Sequence, residues 1–243
     1  MNTEVLSKVF AISVFGLAAV GVVPKLAFAA PGMVTQIAGV LTVQRPDGST
    51  RVLSQKSEIQ SGDTLNTQRD SFAQIKFEDG AQITIKPGSS LRIENFNYQL
   101  AEPQNDNFFY RLVKGGMRAV TGAVGKRGNA DAYKVETATA TIGIRGTTFG
   151  ADDCTSEGAN CRGLESGVYV SVSDGEIVTT NNAGTTTFLA GQFGLIDSPE
   201  RRPRFLSTDP GLQFTPPASF IQSISGGSSV NSGKSLECVV RAR

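Results

Sequence analysis

An all-β fold is expected, an antiparallel solenoid-like stack or two-sheet roll of short strands behind an N-terminal signal helix. Three observations predict it. From Met33 to Ile196 the chain runs in short stretches of alternating apolar and polar residues. Gly, Asp-Gly and Pro-Gly signals punctuate those stretches. The 243 residues include 27 glycines, many turns for a single chain, and no helical periodicity of note.

Composition narrows function. There is no histidine, which removes a Ser-His-Asp triad, a Cys-His pair, a His-ligated metal and the HExxH motif together. The formal charge is +1, so nothing in the overall balance points to a nucleic acid. Neither an enzyme nor a cofactor is expected.

The N-terminus reads as an address. Val9 to Val23 is nearly unbroken apolar sequence between Lys8 and Pro24-Lys25, and Ala27-Phe28-Ala29 supplies the small-x-small pattern that signal peptidase cuts. About fifteen apolar residues fall short of the roughly 20 that span a bilayer. Residues 1–29 are therefore expected to be a signal peptide cleaved after Ala29, giving a periplasmic protein. No later segment is apolar enough to cross a membrane, and loss of Lys8, Lys25 and Glu4 leaves basic and acidic residues in equal number.

Within 30–197, the β domain, the hairpin signals can be placed in register. Ala73, Ile75 and Phe77 share one face, as do Ala81, Ile83 and Ile85. A three-residue loop, Glu78-Asp79-Gly80, pairs Phe77 with Ala81, Ile75 with Ile83 and Ala73 with Ile85, provided Gly80 is left-handed. The second Asp-Gly, Asp174-Gly175, suits a two-residue loop that pairs Val172 with Ile177. A weak echo relates Gly39-Val40-Leu41-Thr42-Val43, with Gly48 and Leu53, to Gly175-Glu176-Ile177-Val178-Thr179, with Gly184 and Leu189. Residues 122–130, rich in glycine with Lys126 and Arg127, lack phosphate-loop spacing and are expected to be a mobile surface loop. Residues 198–243, rich in Pro, Gly and Ser, read as a tail that packs only in places, with Arg201, Arg202 and Arg204 solvated.

Export makes disulfides permissible. Cys154 and Cys161 flank a short polar loop and are expected to be bridged, with Cys238 left as a free or intermolecular thiol. A zinc or CxxC redox site lacks its ligands.

Five motifs in order resemble the FecR domain. They are Ser61-Gly-Asp-Thr-Leu-Asn-Thr, the run from Ser71 through Asp79-Gly80 to Pro87-Gly88, the Ser89-Ser-Leu-Arg-Ile stretch, Val113-Lys-Gly-Gly-Met-Arg, and Val135 to Phe149. The last is similar to the family's V-x-T-P-x-A-x-x-G-V-R-G-T-x-F signature, with Ala138 in place of the proline and Gly143, Arg145, Gly146, Thr147 and Phe149 matching. The resemblance covers about residues 39–196 and is most specific over 61–149. It implies a non-enzymatic periplasmic interaction module, a component of envelope signal sensing that acts through an envelope protein partner. Only eight residues precede the apolar run, too few for the cytoplasmic anti-sigma segment of the namesake regulators, so a stand-alone exported form is expected.

The residues themselves suggest more. A change of apolar parity near Thr137-Ala138 implies a bend or bulge that transfers burial between faces. Gly143 and Gly146 are expected to let backbones approach closely, and Arg145 to fix strand ends by charge-assisted hydrogen bonds rather than bind a ligand. Two other functions compete. A carbohydrate or cell-envelope binding module suits a β surface but lacks tryptophan platforms. A carboxylate-only hydrolase would draw on Asp152, Asp153 and Glu157, which read instead as exposed turn residues.

Overall fold

The computed structural model describes residues 31–129, 131–155, 161 and 163–212. The signal segment, Glu157, Cys238 and most of the Pro/Gly/Ser-rich tail lie outside them. Among the described residues no helix is long and apolar enough to cross a membrane.

Fifteen strands form one continuous sheet folded into two facing layers, the two-sheet roll of the two expected alternatives. The short strands belong to one layer each. In the first layer are β2 (Leu41–Gln44), β3 (Thr50–Leu53), β5 (Thr64–Thr67), β8 (Ser90–Asn97), β10 (Tyr133–Glu136) and β13 (Gly184–Leu189). In the second are β1 (Gly32–Ala38), β4 (Glu58–Ile59), β6 (Phe72–Phe77), β7 (Gln82–Ile85), β14 (Phe193–Ile196) and β15 (Arg204–Leu206). Three long strands serve both: β9 (Asn107–Val120), β11 (Thr141–Asp153) and β12 (Val168–Asn181).

Each long strand changes partners halfway. The first half of β9 pairs with β8 and β10, its second half with β7 and β11. The first half of β11 lies beside β10 and its second half beside β9, with β12 along both. β12 pairs with β14 at its start and β13 at its end. A positive-φ glycine stands at every crossing: Gly115 (φ 76°), Gly146 (φ 62°) and Gly175 (φ 78°). Only glycine adopts that conformation without a Cβ penalty.

The inner rows show how alternation fills the roll. Across the second layer run Val34, Ile75, Ile83, Ala119, Phe149 and Val172, all buried. Ala119 leaves room beside the bulky Phe149. Across the first run Ile93, Tyr110, Val135, Ile142 and Thr179, also buried. Phe77 of the second layer meets Phe108 and Phe96 of the first at 4.5 and 5.4 Å between ring centres.

The β6–β7 hairpin has the expected register: Ala73 faces Ile85, Ile75 faces Ile83, and the Phe77 N–H donates to the Ala81 carbonyl at 2.9 Å. Gly80 is left-handed at φ 86°. Asp174-Gly175 is not a turn. Here β12 runs on through a bend, Val172 faces Phe149, and Ile177 faces Ile144 and Phe188, because both sides of Gly175 stay paired with β11. The echoed segments each enter a hairpin, but Leu41 faces Leu53 whereas Ile177 faces Phe188, so their registers differ by one residue. The parity change at Thr137-Ala138 is a hairpin loop rather than a bend or bulge: Val135 faces Ile142, and the Thr137 hydroxyl and N–H both donate to the Ala140 carbonyl. One pair departs from antiparallel order, since β10 runs parallel to β9.

The Gly-rich stretch is anchored. Val124 is fully buried, Asp79 accepts the Val124 N–H at 3.2 Å, and a Cβ on Gly122 would fall 2.3 Å from the Asp79 carboxylate. Arg127 binds Asp106 at 3.0 Å and lies 4.6 Å over the Tyr98 ring. Beyond residue 197, β15 pairs with β14, Arg201 binds Asp197, and Arg204 binds Glu165.

The crossing glycines make a direct prediction. A Cβ on Gly146 would meet nothing nearer than Lys126 Cγ at 3.7 Å, so the constraint there is the left-handed backbone alone. Gly146→Ala should lower the urea unfolding free energy by about 1–2 kcal/mol. Gly143→Ala, at a position with ordinary φ, should stay within about 0.5 kcal/mol of the parent chain.

Candidate functional site

The signature segment divides its residues between fold and surface. Thr147 is buried and stitches the crossing: its N–H donates to the Thr121 hydroxyl at 3.0 Å, its own hydroxyl donates to the Glu176 carbonyl at 2.5 Å, and its carbonyl accepts from Thr121. Phe149 lies fully in the core. Gly146 supplies the left-handed bend, not the close backbone approach expected of it. Gly143 shows no close approach either, since a Cβ there would meet only the Val178 carbonyl at 3.7 Å.

Arg145 points to solvent and makes no ion pair among the described residues, so it does not fix strand ends as expected. It borders a cleft of 320 Å³ on the outer face of the first layer, together with Gly143, Thr141, Lys134, Asp131, Val178 and Thr180. Lys134 and Val178 flank Gly143 across the sheet, while Thr141 and Arg145 flank it along β11. The missing side chain at 143 thus leaves a dent ringed by two cations and two hydroxyls. This surface was not legible beforehand, because it depends on β10 and β12 lying on either side of Gly143.

A second polar constellation sits on the outer face of the other layer. Lys86 just past β7, Gly116 on β9 and Asp152 on β11 are lateral neighbours. Asp152 and Lys86 reach across Gly116, where a Cβ would fall 2.0 Å from the Asp152 carboxylate. The Lys86 ammonium donates to both Asp152 oxygens, at 2.8 and 2.7 Å, and to the Leu212 carbonyl at 2.6 Å. Beside them Cys154, Tyr169, Leu195 and Leu212 form a small apolar cluster. The pair is buried, as is Asp153, whose carboxylate accepts from the Thr155 N–H and hydroxyl. The expectation of exposed turn carboxylates is overturned for both residues, Asp152 through its pairing with the distant Lys86 and Asp153 buried at the end of β11 with Thr155 as its donor. Glu157 lies outside the described residues.

Burial raises the Asp152 carboxyl to about 6, against the opposing pull of Lys86. Both oxygens of the aspartate are held by the Lys86 ammonium. Among the described residues no group of three or more His, Cys, Asp or Glu side chains could hold a metal. Cys154 and Cys161 form a disulfide that closes the loop after β11.

The described residues thus form a two-layer β roll with a polar cleft on one outer face. Residues 63–178 match the family model described as FecR protein. Two crystal structures described as a candidate anti-sigma factor from Parabacteroides distasonis are similar at 12% and 13% identity, both with TM-score 0.44. The similarity covers 60% of this chain and 60% of each of theirs. A structure described as a cell surface anchoring domain is 33% identical over 26% of this chain and 83% of its own, with TM-score 0.25. No curated protein matches the sequence.

Lys86→Met strands a buried carboxylate and should cost about 3–5 kcal/mol at pH 8, whereas the double variant K86M/D152L should recover most of that loss. The folded Asp152 holds its proton more tightly than the unfolded chain, whose carboxyl titrates near 3.8. Stability from this group is therefore lost as pH rises from about 4 to about 6, by about 3 kcal/mol in total. The double variant should lack that component in unfolding curves taken across the window. Reducing the disulfide opens a short loop, so it should cost about 2–3 kcal/mol and leave the far-UV circular dichroism of the roll intact.

Proposed function

We propose that this chain is a non-enzymatic sensing module that works in the periplasm and acts through a protein partner. The observation that carries the reading is the FecR match over residues 63–178, a regulatory family, with part of its signature segment displayed on an open face. The disulfide supports an oxidising compartment, and so does the apolar run ending in Ala27-Phe28-Ala29. A glycan-binding role is less well supported. The chain has no tryptophan, and the cleft is lined by no aromatic ring on which a sugar would stack. A carboxylate hydrolase is opposed by the ion pairing of Asp152 with Lys86.

Full chain expressed in a Gram-negative host should be recovered from the periplasmic fraction with Ala30 as its first residue. A photo-crosslinking residue at Thr187, exposed on the cleft face, should trap a discrete protein. Cytoplasmic retention of an uncut chain with free thiols would reject the location. Trapping of glycan alone would reject the protein-partner reading.

A further inference from the structure

We propose that the dent over Gly143 receives a carboxylate side chain carried on an acidic segment of a protein partner. This rests on the reading above and names the chemistry of its docking point.

The first support is the glycine itself. Gly143 is absent from the positive-φ positions, and a Cβ there would meet only ordinary contact. Nothing in the fold requires glycine at this position, yet its missing side chain is what opens the cleft. The contrast with Gly146, three residues on, is complete, because there the backbone demands glycine and no cleft depends on it.

Charge supplies the second support. Elsewhere on the same face the cations are neutralised: Arg111 binds Glu136 at 2.8 Å and Glu94 at 3.4 Å, and Arg92 binds Glu94 at 3.1 Å. Around the dent they are not. Lys134 has a loose contact of 3.7 Å with Asp131, whose side chain is 73% exposed. Arg145 and Lys126 make no ion pair among the described residues, and Glu176, the cross-strand neighbour of Arg145, makes none either. A guanidinium fork and an ammonium at one dent match a carboxylate, which an arginine can hold with two parallel hydrogen bonds. The hydroxyls of Thr141 and Thr180 at the rim add neutral donors.

The same features select among anions. Asp131 at the rim opposes a dianion such as phosphate more strongly than a single carboxylate. The lack of an aromatic wall disfavours an acidic sugar.

The test uses full chain labelled with ¹⁵N and titrated with acetylated, amidated tetraglutamate. Tetraglutamine, inorganic phosphate and tetragalacturonate serve as comparisons. Saturable amide shifts are expected at Lys134, Gly143, Arg145 and Val178 with tetraglutamate, and none with tetraglutamine. Arg145→Gln should weaken binding at least about tenfold, the loss of one charge-assisted pair, and Gly143→Val should abolish it. Arg111→Gln should bind like the parent chain. All three variants should keep the parent's amide dispersion and unfolding midpoint, and Arg145→Lys should restore binding in part. No saturable shift, shifts centred on Arg92 and Arg111, or unchanged binding by Arg145→Gln would overturn the proposal, as would tighter binding of phosphate or tetragalacturonate. In cells, a Thr187 crosslink that survives Gly143→Val would remove the dent as a docking point while leaving the sensing reading intact. Absence of any crosslink in the parent chain would instead count against the sensing reading, and the peptide titration would still decide the dent.

Discussion

Everything in this fold depends on three strands crossing between two layers as single strands that exchange partners at the bend. A strand that bends so sharply needs a residue able to take positive φ, and Gly115, Gly146 and Gly175 are placed at those bends. Two of them stack. A Cβ on Gly175 would fall 2.7 Å from the Gly146 carbonyl, so this glycine answers to close approach as well as to conformation. Thr121 and Thr147 then exchange hydrogen bonds beside the stack. Each crossing that fails would separate an inner row of one layer from its continuation in the other, which is why the bends and the core cannot be treated apart.

The edges of the layers are secured by buried aspartates, each with its own compensating partner. Asp79 accepts N–H groups from Ala81 and Val124, tying the β6–β7 loop to the Gly-rich stretch, although burial still raises its carboxyl. Asp106 is held by Arg127 and by the Gln99 N–H, Asp63 by the Gln60 N–H and Arg45, and Asp152 by Lys86. A buried carboxylate without such a partner is costly, so these contacts fix loops that the apolar core does not reach. The residues just past β15 belong to this scheme, since the Leu212 carbonyl accepts from the Lys86 ammonium while its side chain joins Tyr169 and Leu195.

Local pattern was sufficient where one loop and one pair of faces decide the structure. The β6–β7 register followed from keeping Phe77 and Ala81 on the buried side, and the Cys154–Cys161 bridge from the length of its loop. It failed where alternation is compatible with two paths. Val172 and Ile177 are buried whether the chain turns back at Asp174-Gly175 or bends and continues. Only pairing with β11 on both sides distinguishes the two. It failed again at Asp152, whose partner Lys86 lies far away along the chain, as does the Leu212 carbonyl that also accepts from that ammonium. Polar residues after an apolar strand read locally as a turn, and burial of a charge is decided by whatever distant segment comes to cover it.

The cleft illustrates the same division within five residues. In Gly143-Ile144-Arg145-Gly146-Thr147, Ile144 and Thr147 face inward and are buried, and Gly146 answers to backbone conformation. Those three are accounted for by the fold. Gly143 and Arg145 are not, because the roll would accept a side chain at the first and receives no ion pair from the second among the described residues. A residue whose identity the core does not dictate is free to be set by what approaches from outside. The two unexplained positions are neighbours on one outer face, and together they shape a single dent and charge it. The part of the signature that packing leaves over is therefore a coherent surface, which is the physical ground for placing recognition there.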